Sequence, residues 1–172
     1  MLKIAVFGSA FNPPSIGHKS VIESLSHFDN VLLVPSIAHA WGKEMLDYDK
    51  RCQLLNAFIA DLNMANVELS QVETELYTPG KSVTTYSVLE RIQQNWPKSD
   101  ITFVIGPDNL MKFHQFAKCD EILRRYYVMA CPEKVPVRST EIRHRIENGE
   151  SIDDLTTPSV AELLKQTDWY HE

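Results

Sequence analysis

Two stretches, one near each end of the 172-residue chain, combine glycines, hydroxyls and basic side chains at points where helices begin. The first reads Gly8-Ser9-Ala10-Phe11-Asn12-Pro13-Pro14-Ser15-Ile16-Gly17-His18. It is not a Walker loop, because no Gly-Lys-Ser/Thr follows, and it lacks the Gly-x-Gly-x-x-Gly dinucleotide fingerprint. Gly8 lets a backbone approach a ligand with no side chain in the way, and Pro13 and Pro14 stiffen the path that follows. The second reads Arg138-Ser139-Thr140-Glu141-Ile142-Arg143. Ser139 suits an N-cap, but Ile142 stands where a capping box would place Glu or Gln, and Arg138 and Arg143 flank the helix start. Unpaired N–H groups and the macrodipole make a helix start favour anions, so Gly17-His18-Lys19 and Arg138 with Arg143 are electrostatically inverted there. Two such starts in a chain of net charge -6 imply a polyanion, such as a triphosphate, lying between them.

The elements that must position these stretches read as alternating strands and helices. Short apolar runs suited to buried parallel strands occupy residues 2–7, 31–35, 101–105 and 126–130. Helical patterns fall at 17–28, 49–62 and 83–96, with shorter ones at 109–116 and 120–124 and later ones at 139–147 and 158–166. Residues 66–76 fit an additional strand only loosely, since their apolar positions do not alternate. The pattern predicts an α/β fold, a Rossmann-like doubly wound parallel sheet in a single domain spanning 1–172. Ligands in such sheets sit beyond the carboxyl ends of the strands, which directs attention to loops 8–16, 36–46, 106–109 and 131–138.

The two stretches together resemble the paired signatures of the nucleotidylyltransferase superfamily, His/Thr-x-Gly-His near the N-terminus and Ser-Ser-Thr-x-Ile-Arg towards the C-terminus. Ile105-Gly106-Pro107-Asp108-Asn109-Leu110, Phe116, and Pro158-Ser159-Val160-Ala161-Glu162-Leu163 before Trp169-Tyr170 are most similar to nicotinate/nicotinamide mononucleotide adenylyltransferases. The resemblance implies an enzyme of NAD biosynthesis that joins such a mononucleotide to the AMP moiety of ATP and releases pyrophosphate. It implies catalytic roles for His18, Ser15 and Arg143, and ATP binding by Gly8, Ser9, Phe11, Gly106, Asp108, Arg138, Ser139 and Thr140. Lys43, Thr85 and Phe116 fall to the mononucleotide, Phe116 by stacking on the pyridine ring. Ser15 departs from the usual His or Thr and has a shorter reach, and Arg138 replaces the first Ser, adding a cation expected to contact phosphate. Mg2+ is expected with ATP, held by phosphate oxygens and water, with no protein-built metal site.

The alternatives are a related transfer to another phosphorylated acceptor such as phosphopantetheine, or a nucleotide-binding module without turnover. A class I synthetase fragment is set aside because no Lys-Met-Ser-Lys-Ser loop follows. The acidic balance argues against a nucleic-acid partner, which needs many cations on one face. No apolar run approaches the ~20 residues that span a bilayer, and three widely spaced cysteines fit a reduced, cytoplasmic setting.

Overall fold

The computed structural model describes residues 1–38 and 44–171. Five strands form one parallel sheet: β1 (Leu2–Ser9), β2 (Asn30–Pro35), β3 (Val67–Leu69), β4 (Ser99–Ile105) and β5 (Tyr127–Ala130). Their spatial order is β3-β2-β1-β4-β5. Successive crossovers therefore run outward from β1 in one direction and then, from β4, in the other. The reversal lies between β1 and β4, where the register pairs Phe7 with Val104. A doubly wound sheet opens a crevice at the carboxyl ends of the strands flanking such a reversal.

β1, β2 and β4 are buried on both faces over most of their length and must be apolar on both, which explains their near-continuous hydrophobic runs; β5, at the sheet edge, is half exposed, with Tyr127 65% exposed, so the expectation of a buried strand at 126–130 is corrected there. Ala5, Phe7, Val31 and Leu33 point to one layer, packed with α1 (Ile16–Glu23), α2 (Tyr48–Leu62), α7 (Ser139–Glu147) and α8 (Pro158–Lys165). Ile4, Val6, Leu32, Val34, Ile101 and Phe103 point to the other, packed with α3 (Val72–Leu76), α4 (Thr85–Asn95) and α6 (Cys119–Arg125). A short helix, α5 (Pro107–Met111), leaves β4 directly.

The ambiguous stretch 66–76 divides into the short β3 and the single-turn-scale α3. The helix expected over 17–28 ends at Glu23, and tight i to i−3 turns carry Leu25 and Phe28 into the core. The segment expected as one helix over 109–116 is α5 followed by a 3-10 turn at Phe113–Gln115. All three cysteines are free, and among the described residues no helix is long and apolar enough to cross a membrane.

Candidate active site

The exit of β1 sets the first wall of the site. Phe11 takes a left-handed backbone (φ 48°), and the Asn12–Pro13 peptide is cis. The Phe11 side chain is wholly buried, edge-on to Phe7 with ring centroids 5.7 Å apart, and its ring lies 4.7 Å from that of His18. Its backbone N–H donates to Ser9 Oγ at 3.4 Å. Phe11 therefore serves the site as a wall for the imidazole, and its N–H is engaged within the loop rather than free for phosphate.

Ser15 is the N-cap of α1, and the cap has an unusual partner. Ser15 Oγ accepts from the His18 N–H at 3.3 Å, and the Ser15 N–H donates to His18 Nδ1 at 3.0 Å. This is a capping box in which imidazole replaces the customary Glu or Gln. A backbone N–H can only donate, so Nδ1 is the acceptor and the neutral ring carries its proton on Nε2. Burial pushes the His18 pKa down to about 4. The expectation of a cationic first turn is thus corrected at His18: the residue is a neutral donor held by the cap. Ser15, 1% exposed, donates its hydroxyl to the Val137 carbonyl at 3.3 Å, so donation to phosphate would require that bond to break.

Gly17 explains itself by contact. A Cβ built there would lie 2.2 Å from the Val137 carbonyl oxygen and 3.2 Å from that of Val135. The irregular segment before α7 passes so close to the start of α1 that only glycine fits.

That close passage is what brings the distant signature to the first. Ser139 Oγ donates to the Pro13 carbonyl at 2.6 Å, and Arg143 donates to the Asn12 carbonyl at 2.7 Å and to Thr140 Oγ1 at 3.2 Å. Tyr170 donates to Asn12 Oδ1 at 2.7 Å, and Thr156 Oγ1 donates to the Pro14 carbonyl at 2.8 Å. The loop after β1 is therefore clamped by α7 and by the C-terminal segment. The N-cap of α7 is Arg138 rather than Ser139, and no side chain caps that helix start. Ser139 is drawn away to Pro13 instead, which leaves the first turn of α7 open to an anion. Among the described residues, no carboxylate lies within 4.0 Å of the Arg143 guanidinium. Arg138, by contrast, is paired with Asp108 at 2.7 Å and Glu133 at 3.0 Å. Both residues lie where phosphate and nucleoside contacts were expected, but here they satisfy each other at the exposed rim.

Two cavities open at the carboxyl ends of the strands. The first, about 370 Å³, is lined by Gly8, Ser9, Phe11, Ser15, His18, Gly106, Asp108, Arg138, Ser139, Thr140 and Arg143. Every residue assigned by the sequence to catalysis or to ATP lies on it. The second, about 440 Å³, is lined by Thr85 and Phe116 together with Glu73, Thr84, Lys112 and Gln115. Gly8, Ser9, Ala10 and Asn109 line both, so the cavities meet at the tip of β1. Lys43 and its neighbour His39 lie outside the described residues.

Sequence reasoning missed two buried charges behind these cavities. Arg51, 1% exposed, donates through Nε to the Leu46 carbonyl and through Nη1 to those of Ala10 and Ser36. It ties together the loops leaving β1 and β2. A signal existed, because position 51 falls on the same helical stripe as the buried Leu54, Leu55, Phe58 and Leu62. Glu73, 8% exposed, accepts the Ile37 N–H at 3.1 Å. Burial pushes its pKa up to about 7, against the opposing pull of that N–H and the Arg51 charge.

These two shifts act on stability in opposite senses. The folded protein holds the Glu73 proton more tightly than the unfolded chain, whose value is near 4.5, so that contribution is complete below pH 4.5 and fades as pH rises through 7. His18 is shifted down from 6.5, so its contribution is complete above that pH and fades as pH falls towards 4. Glu73→Gln mimics the protonated carboxyl. Urea unfolding at pH 5 and pH 8 is expected to show the wild type losing stability relative to Glu73→Gln at the higher pH. A difference independent of pH would contradict the burial of an ionisable carboxyl there.

The model of the cytidylyltransferase-like family matches residues 6–146. A crystal structure of a candidate nicotinate-nucleotide adenylyltransferase from Vibrio parahaemolyticus is 57% identical and superposes with a TM-score of 0.89, covering 99% of this chain and 96% of that one. A Plasmodium falciparum nicotinic acid mononucleotide adenylyltransferase, complexed with NaAD, shares the fold at 14% identity and a TM-score of 0.80, covering 99% and 98% of the two chains. A probable nicotinate-nucleotide adenylyltransferase of Flavobacterium johnsoniae is 22% identical over 98% of this chain and 99% of its own length.

Proposed function

The chain belongs to the cytidylyltransferase-like family, and from that premise we propose that it transfers the AMP moiety of ATP to nicotinate mononucleotide, releasing pyrophosphate and forming the dinucleotide that NAD biosynthesis requires. The observation that carries this reading is the meeting of two cavities at the tip of β1. One has the donors for a triphosphate, the other an aromatic and hydroxyl lining for a second nucleotide. The reacting α-phosphorus belongs where they join.

In this reaction an oxygen of the mononucleotide 5′-phosphate forms a bond to the α-phosphorus. The bond from that phosphorus to the oxygen bridging to the β-phosphate breaks, and its electron pair leaves with pyrophosphate. The attacking oxygen is already anionic near pH 7, so the protein needs no general base and acts by alignment and charge stabilisation. His18 offers its Nε2–H to phosphate once that proton turns from Ser9 Oγ, 3.0 Å away; burial keeps the donor neutral, and the cap fixes the ring through Nδ1. Arg143, Ser139 and Thr140 gather on the phosphates from the open start of α7. Gly8 gives backbone access, and Gly106 with Asp108 faces the nucleoside once Asp108 parts from Arg138. Ser15 contributes by holding the imidazole.

On the acceptor side, Phe116 supplies a face for the pyridine ring, and Thr84 and Thr85 present the N-terminus of the 11-residue α4 to the ring substituent. A helix start favours a carboxylate over an amide, which supports nicotinate over nicotinamide. Mg2+ would accompany the triphosphate and neutralise part of its charge. Among the described residues, the acidic side chains lining the first cavity are Asp108 and Glu133, both engaged by Arg138, a donor set that fits a metal held by phosphate oxygens and water.

Pyrophosphate release with ATP and, in separate reactions, nicotinate mononucleotide, nicotinamide mononucleotide and phosphopantetheine tests the assignment. Release is expected to be fastest with nicotinate mononucleotide. Release only with phosphopantetheine would replace the acceptor, and ATP binding without release from any acceptor would leave a binding module.

A further inference from the structure

Ser9 is a side chain at the junction of the two cavities, in contact with His18, and among the described residues its hydrogen bonding is incomplete. Its oxygen lies 3.0 Å from His18 Nε2 and accepts the Phe11 N–H at 3.4 Å. Because the Ser15 N–H occupies Nδ1, the Nε2 nitrogen bears the ring proton and is the donor towards Ser9. A serine oxygen has two lone pairs and one proton to give. Both lone pairs are taken, one by each N–H, and among the described residues the hydroxyl proton has no acceptor. Ser9 can engage a further group only by donating, and it lies among the residues that line both cavities.

We propose that Ser9 is a further catalytic residue, its hydroxyl donating to a nonbridging oxygen of the phosphoryl group being transferred, beside the Nε2–H of His18. The proposal rests on the adenylyl-transfer reading. Neither residue gains or loses a proton in the step: the acceptor oxygen bonds to phosphorus, pyrophosphate departs with the electron pair of the broken bond, and the two donors answer the charge on the oxygens around phosphorus.

The test is steady-state pyrophosphate release by wild type, Ser9→Ala, Ser9→Thr, His18→Ala and the Ser9→Ala/His18→Ala double variant, each checked for a wild-type melting profile. Losing a preorganised donor typically costs about 10²–10³ in turnover when it faces a full oxyanion, and a neutral hydroxyl sharing the task is expected to cost ~10–100-fold. Ser9→Ala should therefore lower kcat by that factor with little change in KM for the mononucleotide, because the contact matters most in the transition state. Ser9→Thr keeps the hydroxyl and should retain most of the turnover. In the His18→Ala background, Ser9→Ala should still cost turnover, since its own proton reaches the ligand. If the serine merely supported the imidazole, its removal would have no effect once His18 is gone, and that result overturns the proposal. Unchanged turnover in Ser9→Ala with an active wild type overturns the role of Ser9 alone, whereas a wild type that releases no pyrophosphate overturns the function and this role with it.

Discussion

His18→Ala is expected to lower kcat by about 10²–10³-fold while leaving KM for nicotinate mononucleotide nearly unchanged. The magnitude follows from what the imidazole is in this fold. It is a neutral donor, fixed at both nitrogens: Nδ1 by the Ser15 N–H at 3.0 Å, and Nε2 beside Ser9 at 3.0 Å. A donor oriented before substrate arrives pays no reorganisation as charge develops, and such groups dominate catalysis by alignment. Its pKa near 4 adds a second expectation. Loss of turnover through His18 should appear only as pH falls towards 4, where protonation of Nδ1 breaks the cap, and there should be no inflection from this residue near 6.5. Equal turnover in the variant, or a histidine titration near neutrality, would remove His18 from the transition state.

The second large effect is expected from the smallest change. Gly17→Ala should destabilise the protein by roughly 1–3 kcal/mol, the usual cost of overpacking, and should remove most activity. Helix propensity alone predicts the opposite sign, because alanine is favoured over glycine by about 1 kcal/mol within a helix. Geometry decides between them. The new Cβ would stand 2.2 Å from the Val137 carbonyl, which is backbone and cannot swing aside. Relief requires the 135–137 segment to retreat from α1, and the segment leads directly into α7, so Ser139 and Arg143 would lose Pro13 and Asn12. Urea unfolding and turnover measured on the same preparation check both halves. A variant that is more stable than wild type would show that α1 and the segment are not in contact.

Much of the architecture was legible because a buried parallel strand needs apolar residues on both faces. The runs in β1, β2 and β4 and the loops that follow them were visible for that reason, whereas the apolar run of β5 forms a half-exposed edge strand. Helix ends set by tertiary contacts were less so: α1 stops at Glu23 because tight turns deliver Leu25 and Phe28 to the core, although their spacing alone reads as helix. The charge state of His18 was hidden for a similar reason. A histidine in a first turn reads as a cation, but burial and the reach of Nδ1 to the Ser15 N–H make it neutral. Ser139 has the chemistry of a cap, and only the proximity of the Pro13 carbonyl, 126 residues away, explains why it does not act as one. Arg138 carried a charge that suited phosphate, yet its partners arrive from elsewhere in the chain, Asp108 from α5 and Glu133 from the loop after β5. Arg51 could have been found, as a basic residue in an apolar stripe. Glu73 could not, because nothing local distinguishes it from the exposed Glu75 two residues on.

In the proposed reaction the loop after β1 and the start of α7 together hold the triphosphate, next to the cavity for the second nucleotide. A crystal structure with α,β-methylene-ATP, which resists cleavage at the reacting bond, tests it most directly. Phosphate oxygens are expected within hydrogen-bond distance of His18 Nε2 and of the Arg143 guanidinium in the same molecule. A triphosphate seated against Phe116 and Thr85, or one touching neither His18 nor Arg143, would contradict it.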